Sequence, residues 1–187
     1  MTKHLFFGYG SLVNRTTHEY LEGRTARLHG WRRVWRHTQI REEAFLTAVP
    51  SPGTTIEGLV ARVPGGDWQA LDARETGYDR VQSGDVEIAG ERLADVAVYS
   101  IPENRHPAPA DMRPLLLSYV DVVVQGFARE FGPAGVTRFF ETTDGWDAPV
   151  IDDRAAPRYP RHRRLSAEET ALVDRHLAER EVRFIDG

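Results

Sequence analysis

"HLFFGYGSLVNR", His4–Arg15, is the stretch on which the reading of the fold turns. Three apolar residues, Leu5 to Phe7, run directly into Gly8-Tyr9-Gly10-Ser11, and the apolar pair Leu12 and Val13 then leads into polar sequence. A short apolar run bounded by glycine reads as a buried strand. Glycines straight after it let the backbone come close to whatever it faces. Phosphate is the first ligand to test. The dinucleotide pattern G-x-G-x-x-G needs a third glycine where Val13 stands, and the P-loop pattern needs a lysine that does not follow. What is left is a loop of backbone N–H groups with a phenol at Tyr9 and a hydroxyl at Ser11. Such a nest suits a small carboxylate as well as a phosphate, and the same glycines also serve a tight turn with no ligand.

Around this loop the composition sets wide bounds. A chain of 187 residues is long enough for one domain with a sizeable core. The formal net charge of −4 argues against nucleic acid or an anionic membrane surface as partner. With no cysteine, disulfides, thiolate catalysis and thiolate metal sites are excluded. The longest apolar runs, "LFF" and "VDVVV", fall far short of the roughly 20 residues that span a bilayer. The N-terminus lacks the basic start and long apolar centre of a signal peptide, so a cytoplasmic location is expected.

The first half reads mostly as strands: "HLFFGY", "WRRVWRHT", "GLVARV" and "LADVAVYSI", the last alternating with Ala94, Val96 and Val98 on one side. "PSPGTT", "PGGD" and "AGE" read as turns between them. Three helices follow from pattern. Asp67 is a candidate N-cap for the short "WQALDARE", which Gly77 would terminate. "MRPLLLSYVDVVVQGFAREFG" carries an apolar stripe at 116, 119, 120, 123, 127 and 131, with Pro114 in its first turn and Gly132 at its end. "SAEETALVDRHLAER" opens with a capping box, Ser166 and Glu169. Before it, "DDRAAPRYPRHRRL" reads as an irregular segment. Strands first and helices later make a mixed α+β domain.

In the short helix, Trp68, Leu71 and Glu75 stand at i, i+3 and i+7 and share a face. If Trp68 and Leu71 point to the core, so does Glu75. Burial would raise its pKa towards the range in which a general acid/base works near neutrality. An ion pair with Arg74, Arg80 or another arginine, or a frayed end in water, accounts for the same pattern. Other constellations carry less. None of the seven histidines forms a recognised metal-ligand spacing, and His176 fits packing better than ligation. Ser11 is not in a G-x-S-x-G elbow. The short "RYPRHRR" cluster in an acidic chain reads as a solvated patch.

Together these residues resemble the γ-glutamylcyclotransferase superfamily, which includes the ChaC-type glutathione-degrading enzymes. "FFGYGSL" is similar to its N-terminal substrate loop, with Tyr9, Gly10, Ser11 and Leu12 in place. Leu12 sets the match nearer the ChaC-like and bacterial branches than the mammalian one, which has asparagine there. "GWRRVWR" and "TAVPSPGTTIEGLVARV" are similar to the next barrel segments, and "WQALDARETGYDRV" to the segment bearing the catalytic glutamate, which falls on Glu75, with Tyr78 close behind. "SYVDVVVQGFAREFG" is similar to the later helix, with Tyr119 at a tyrosine the family often keeps.

The resemblance implies a small mixed β-barrel with flanking helices and a pocket at one barrel end. It implies one domain over 1–187, with 152–187 an irregular segment plus C-terminal helix. It also implies a reaction without metal or cofactor. A γ-glutamyl compound, whether glutathione, a γ-glutamyl amino acid or an amine of secondary metabolism, would yield 5-oxoproline and a free amine. Glu75 would carry the proton, with Tyr9 to Leu12, Tyr78 and Tyr119 binding substrate. The same fold could instead serve a non-catalytic small-ligand module. Arg15, Arg158 and Arg161 are candidates for a substrate carboxylate, or simply solvated arginines.

Overall fold

The structure, a computed structural model, describes residues 4–186; of the expected 1–187 range, residues 1–3 and 187 lie outside it. Strand β1 (Leu5–Gly8) lies parallel to β7 (Val96–Ser100) on one side and antiparallel to β3 (Phe45–Arg62) on the other. The main sheet runs in the order β4-β7-β1-β3-β2-β5-β6, with β2 at Arg24–Arg36, β4 at Asp79–Ser83, β5 at Val86–Ile88 and β6 at Glu91–Leu93. It is a curled half-barrel, open between β4 and β6, and the helices flank it as the mixed α+β reading expects. Phe6 and Phe7 are both 1% exposed because β1 is covered on both faces. Phe7 packs with Leu28, Ile56 and Val98 inside the curl, and Phe6 with Leu71 and Tyr99 on the other side. An unbroken apolar run belongs in such a two-sided position. The alternation read in "LADVAVYSI" is corrected for the same reason: Val96 to Ser100 are all buried.

The long β2–β3 hairpin supplies the curl. Its register changes at Gly30, between His29 opposite Thr55 and Trp31 opposite Pro50. "PSPGTT", expected as a turn, is therefore an excursion within one continuous strand, and such bulges bend a sheet. The turn at "AGE" is found: Ala89 and Gly90 both have positive φ between β5 and β6, as a tight hairpin of that hand requires.

Helix α1 (Gln69–Arg74) follows, with the Asp67 carboxylate accepting from the Gln69 N–H at 3.0 Å. Helix α2 spans Leu117–Glu141 and corrects the expected 112–132 boundaries at both ends. Leu115–Leu116 form a short strand, β8, so Pro114 precedes the helix and does not sit in its first turn. Gly132 breaks the helical backbone at φ 67°, but Pro133 restarts it, as proline does at a first helical position. Most of Leu117–Phe127 is buried, polar Asp121 and Gln125 included, so one apolar stripe understates the packing of this half.

After β9 (Thr143–Asp144, against β2) come β10 (Val150–Ile151), the irregular strap 152–166, α3 (Ala167–Ala178) and β11 (Phe184–Ile185). Strands β8, β10 and β11 make a small parallel sheet. The strap is tied down by Asp153, which accepts from the Ser118 N–H at 2.8 Å and so caps α2 from outside its own sequence. The capping box at Ser166 and Glu169 is formed, and His176 stacks on Phe140 with ring centroids 4.8 Å apart.

Candidate active site

The Tyr9–Leu12 loop leaves the end of β1 and tightens into a 3-10 turn at Ser11–Val13. Two anchors hold it. Asn14 donates to the Val122 carbonyl and to Gln125 Oε1, both at 2.9 Å, which clamps the loop's far end onto α2. Gly126 permits this approach, since a Cβ there would lie 2.7 Å from the Asn14 nitrogen. The second anchor is Arg33, the largest fully buried side chain. It donates from Nε to the Tyr9 carbonyl at 2.8 Å, from Nη1 to Thr142 Oγ1 at 2.9 Å and from Nη2 to the Glu57 carbonyl. Its guanidinium lies 4.8 Å from the centre of the Phe127 ring. Burial pulls its pKa down to about 9, which still leaves it charged at neutral pH. Because the peptide is planar and trans, fixing the Tyr9 carbonyl on Arg33 turns the Gly10 N–H the opposite way.

Glu75 sits one residue past α1, its N–H bonded to the Leu71 carbonyl at 3.0 Å and its carbonyl accepting from Tyr78. Leu71 is fully buried, and the shared helical face carries Glu75 inward with it. Its carboxylate lies 3.3 Å from Arg74 Nε. Burial raises its pKa above the usual glutamate range, against the lowering pull of Arg74 and Arg161. Arg74 also reaches the Thr17 carbonyl at 3.0 Å and Ser11 Oγ at 3.3 Å, which ties helix α1 to the loop.

All seven residues singled out from the sequence border one cavity: Glu75, Tyr9, Gly10, Ser11, Leu12, Tyr78 and Tyr119. Its empty space, mouth included, is about 320 Å³. The phenols are kept neutral by burial, which raises the pKa of Tyr9, Tyr78 and Tyr119. Tyr9 donates to the Tyr99 carbonyl and Tyr78 to the Leu46 carbonyl at 2.7 Å. The Tyr119 hydroxyl makes no hydrogen bond among the described residues and borders the cavity. Ser11 Oγ accepts from Arg74 and from the Tyr159 hydroxyl at 3.0 Å, so its own proton is free to donate.

Of the three arginines considered for a carboxylate, Arg15 is paired with Glu130 and Arg158 with Glu43. Arg161 is close enough to depress Glu75 and makes no side-chain hydrogen bond or ion pair among the described residues. Two contributors escaped the sequence reading. Arg33 has the strand parity of Trp31 and Trp35, and that period-2 match is the signal that marks it as inward. Tyr159 is the one aromatic in the strap, but no local pattern ties it to Ser11. No cluster of three His, Asp or Glu fit to hold a metal ion occurs among the described residues.

Several solved structures share this fold. YkqA from Bacillus subtilis matches at 19% identity and a TM-score of 0.57, over 78% of this chain; this chain spans only 57% of that protein's length. The uncharacterized protein loc79017 from Homo sapiens matches at 16% identity and a TM-score of 0.58, over 93% of this chain and 99% of that one. A gamma-glutamyl cyclotransferase matches with the same 16% identity, TM-score of 0.58 and coverages of 93% and 99%. No curated protein matches by sequence. A family model described as "Gamma-glutamyl cyclotransferase, AIG2-like" matches residues 6–116, which hold β1, its loop, the Glu75 turn and most of the curled sheet, and the chain belongs to that family.

Proposed function

We propose that this chain is a cofactor-independent γ-glutamyl cyclotransferase, releasing 5-oxoproline and a free amine from a small γ-glutamyl compound. The observation that carries the reading is the meeting of Glu75 and the Tyr9–Leu12 backbone in one cavity. Glu75 takes a proton from the substrate's α-ammonium group. The freed amine attacks the γ-carbonyl of the same molecule and closes a five-membered ring. Because both groups belong to one molecule, the entropic cost of meeting is small, and the site's task is to hold the reactive conformer. The Gly10 N–H and the Ser11 and Tyr119 hydroxyls are donors available to the glutamyl carboxylate and to the oxyanion that develops on the carbonyl. Glu75 returns its proton to the departing nitrogen as the C–N bond breaks, and the second proton on the ring nitrogen leaves by the same carboxylate, giving the neutral lactam and a free ammonium. A pKa raised by burial makes the Glu75 carboxylate the stronger base for the first half of this transfer.

The test is 5-oxoproline release from glutathione and a panel of γ-glutamyl amino acids and amines, with Glu75→Gln alongside. We expect turnover on at least one of them and a loss of at least about 10²-fold in Glu75→Gln. Full activity in that variant would sink the mechanism. No release from any compound would leave a binding module on the same fold.

A further inference from the structure

Among the donors of the cavity, the Ser11 hydroxyl is the one whose direction other side chains decide. A hydroxyl oxygen accepts two hydrogen bonds and donates one. Both acceptor positions on Ser11 Oγ are filled, by Arg74 Nη2 at 3.3 Å and by the Tyr159 hydroxyl at 3.0 Å. Ser11 borders the cavity together with Glu75, and neither Arg74 nor Tyr159 is part of that wall. Arg74 has other reasons to be where it is, since Glu75 and Thr17 also hold it. The Tyr159 hydroxyl has only Ser11 as partner among the described residues.

Tyr159 is itself placed from two sides. Its backbone N–H donates to Ser118 Oγ at 3.2 Å, and Ser118 donates in turn to the buried Asp153 carboxylate. Its ring stands edge-to-face against Tyr119, with centroids 4.9 Å apart. A serine–aspartate pair at the start of α2 thus fixes the strap's backbone, and the phenol reaches Ser11 from behind the cavity wall. Without that phenol, one lone pair of Ser11 is vacant and its proton is free to rotate. A ligand must then order the hydroxyl as it binds, which costs affinity. We propose that Tyr159 is a positioning residue: from the strap it holds the Ser11 hydroxyl as a donor to the glutamyl group of the bound compound. This inference rests on the cyclotransferase reading for the identity of that ligand, and its test is built to fail separately.

The probe is 5-oxoproline, which carries both acceptors of a glutamyl group, the carboxylate and the carbonyl formed at the γ-carbon. Its binding is measured by calorimetry to the wild type, Tyr159→Phe, Ser11→Ala and the double variant. Phenylalanine keeps the ring against Tyr119, so the substitution removes the hydroxyl's bond and little else. Ser11→Ala should weaken binding about tenfold, as the loss of one hydrogen bond to the ligand does, and Tyr159→Phe about threefold. In the Ser11→Ala background, Tyr159→Phe should change nothing further, to within about 1.5-fold. A packing role for Tyr159 would instead cost the same in both backgrounds. Equal costs, no cost of Tyr159→Phe in the wild type, or no binding of 5-oxoproline to the wild type would each overturn the proposal. The expected non-additivity in a protein that turns over no γ-glutamyl compound would sink the catalytic reading and leave Tyr159's role standing.

Discussion

Gly10→Ala tests whether the loop and α2 meet as described. A Cβ at Gly10 would lie 2.9 Å from the Tyr119 hydroxyl and 3.2 Å from a Leu46 methyl, where ordinary contact begins at 3.4 Å. Tyr119 has little room to yield, because its ring is wedged edge-to-face against Trp35 at 5.9 Å and Tyr159 at 4.9 Å. Overpacking of this size costs about 1–3 kcal/mol. Tyr119→Phe deletes only the offending oxygen, so in that background Gly10→Ala should cost less by at least about 1 kcal/mol, a coupling typical of residues in contact. Urea unfolding of the four proteins reads this directly, provided the slope of the transition stays constant. Activity should behave otherwise: the added methyl occupies space needed by the glutamyl group, so kcat/KM stays low in the double variant while stability recovers. An equal cost of Gly10→Ala in both backgrounds, to within about 0.3 kcal/mol, would refute the contact.

Three further expectations concern charge. The raised pKa of Glu75 means the folded state holds that proton more tightly than the unfolded one, so its contribution to stability falls as pH rises above the ordinary 4.5. Glu75→Gln should therefore melt higher than wild type well above that pH and match it below, and a variant destabilised at high pH would contradict the burial argument. Arg74→Met removes the cation 3.3 Å from Glu75 and should move the acid limb of the pH–kcat/KM profile to higher pH, with Arg74→Lys restoring it in part. An unmoved limb would mean Glu75 is not the group being titrated. Arg33→Met strands the Tyr9 and Glu57 carbonyls and should cost about 2–4 kcal/mol in chemical denaturation, less the relief of removing a buried charge. A stability within error of wild type would show that the loop does not depend on that anchor.

What could be read from residues alone was whatever short-range periodicity controls. β1 announced itself because an apolar run ending in glycine has few other homes, and Glu75 because Trp68 and Leu71 fix which way its face points. The capping box at Ser166 is likewise a four-residue pattern. Most of the misreadings originate in long-range pairing. "PSPGTT" has every local mark of a turn, yet the partner strand around Gly30 carries it through as a bulge. Gly132 is a different case: it does break the helix, and the restart at Pro133 is a local signal in the very next residue. The parity of Trp31 and Trp35 marks Arg33 as inward, but the three acceptors that allow a guanidinium to be buried there stand at residues 9, 57 and 142. Tyr159 reaches Ser11 across a fold that only packing creates. No window of sequence contains such information.

The hydroxyl of Tyr159 meets Ser11 across 148 residues of chain. Asp153, six positions earlier, caps the helix that presents Tyr119. Much of the cavity can therefore form from the first hundred or so residues, but it is closed only by the strap that follows. Contacts so distant in sequence are made late, since their loop entropy must be met before they return anything. The site is thus a clock for folding: during refolding the sheet should be in place before activity returns, and the interval between the two measures how long the strap takes to dock.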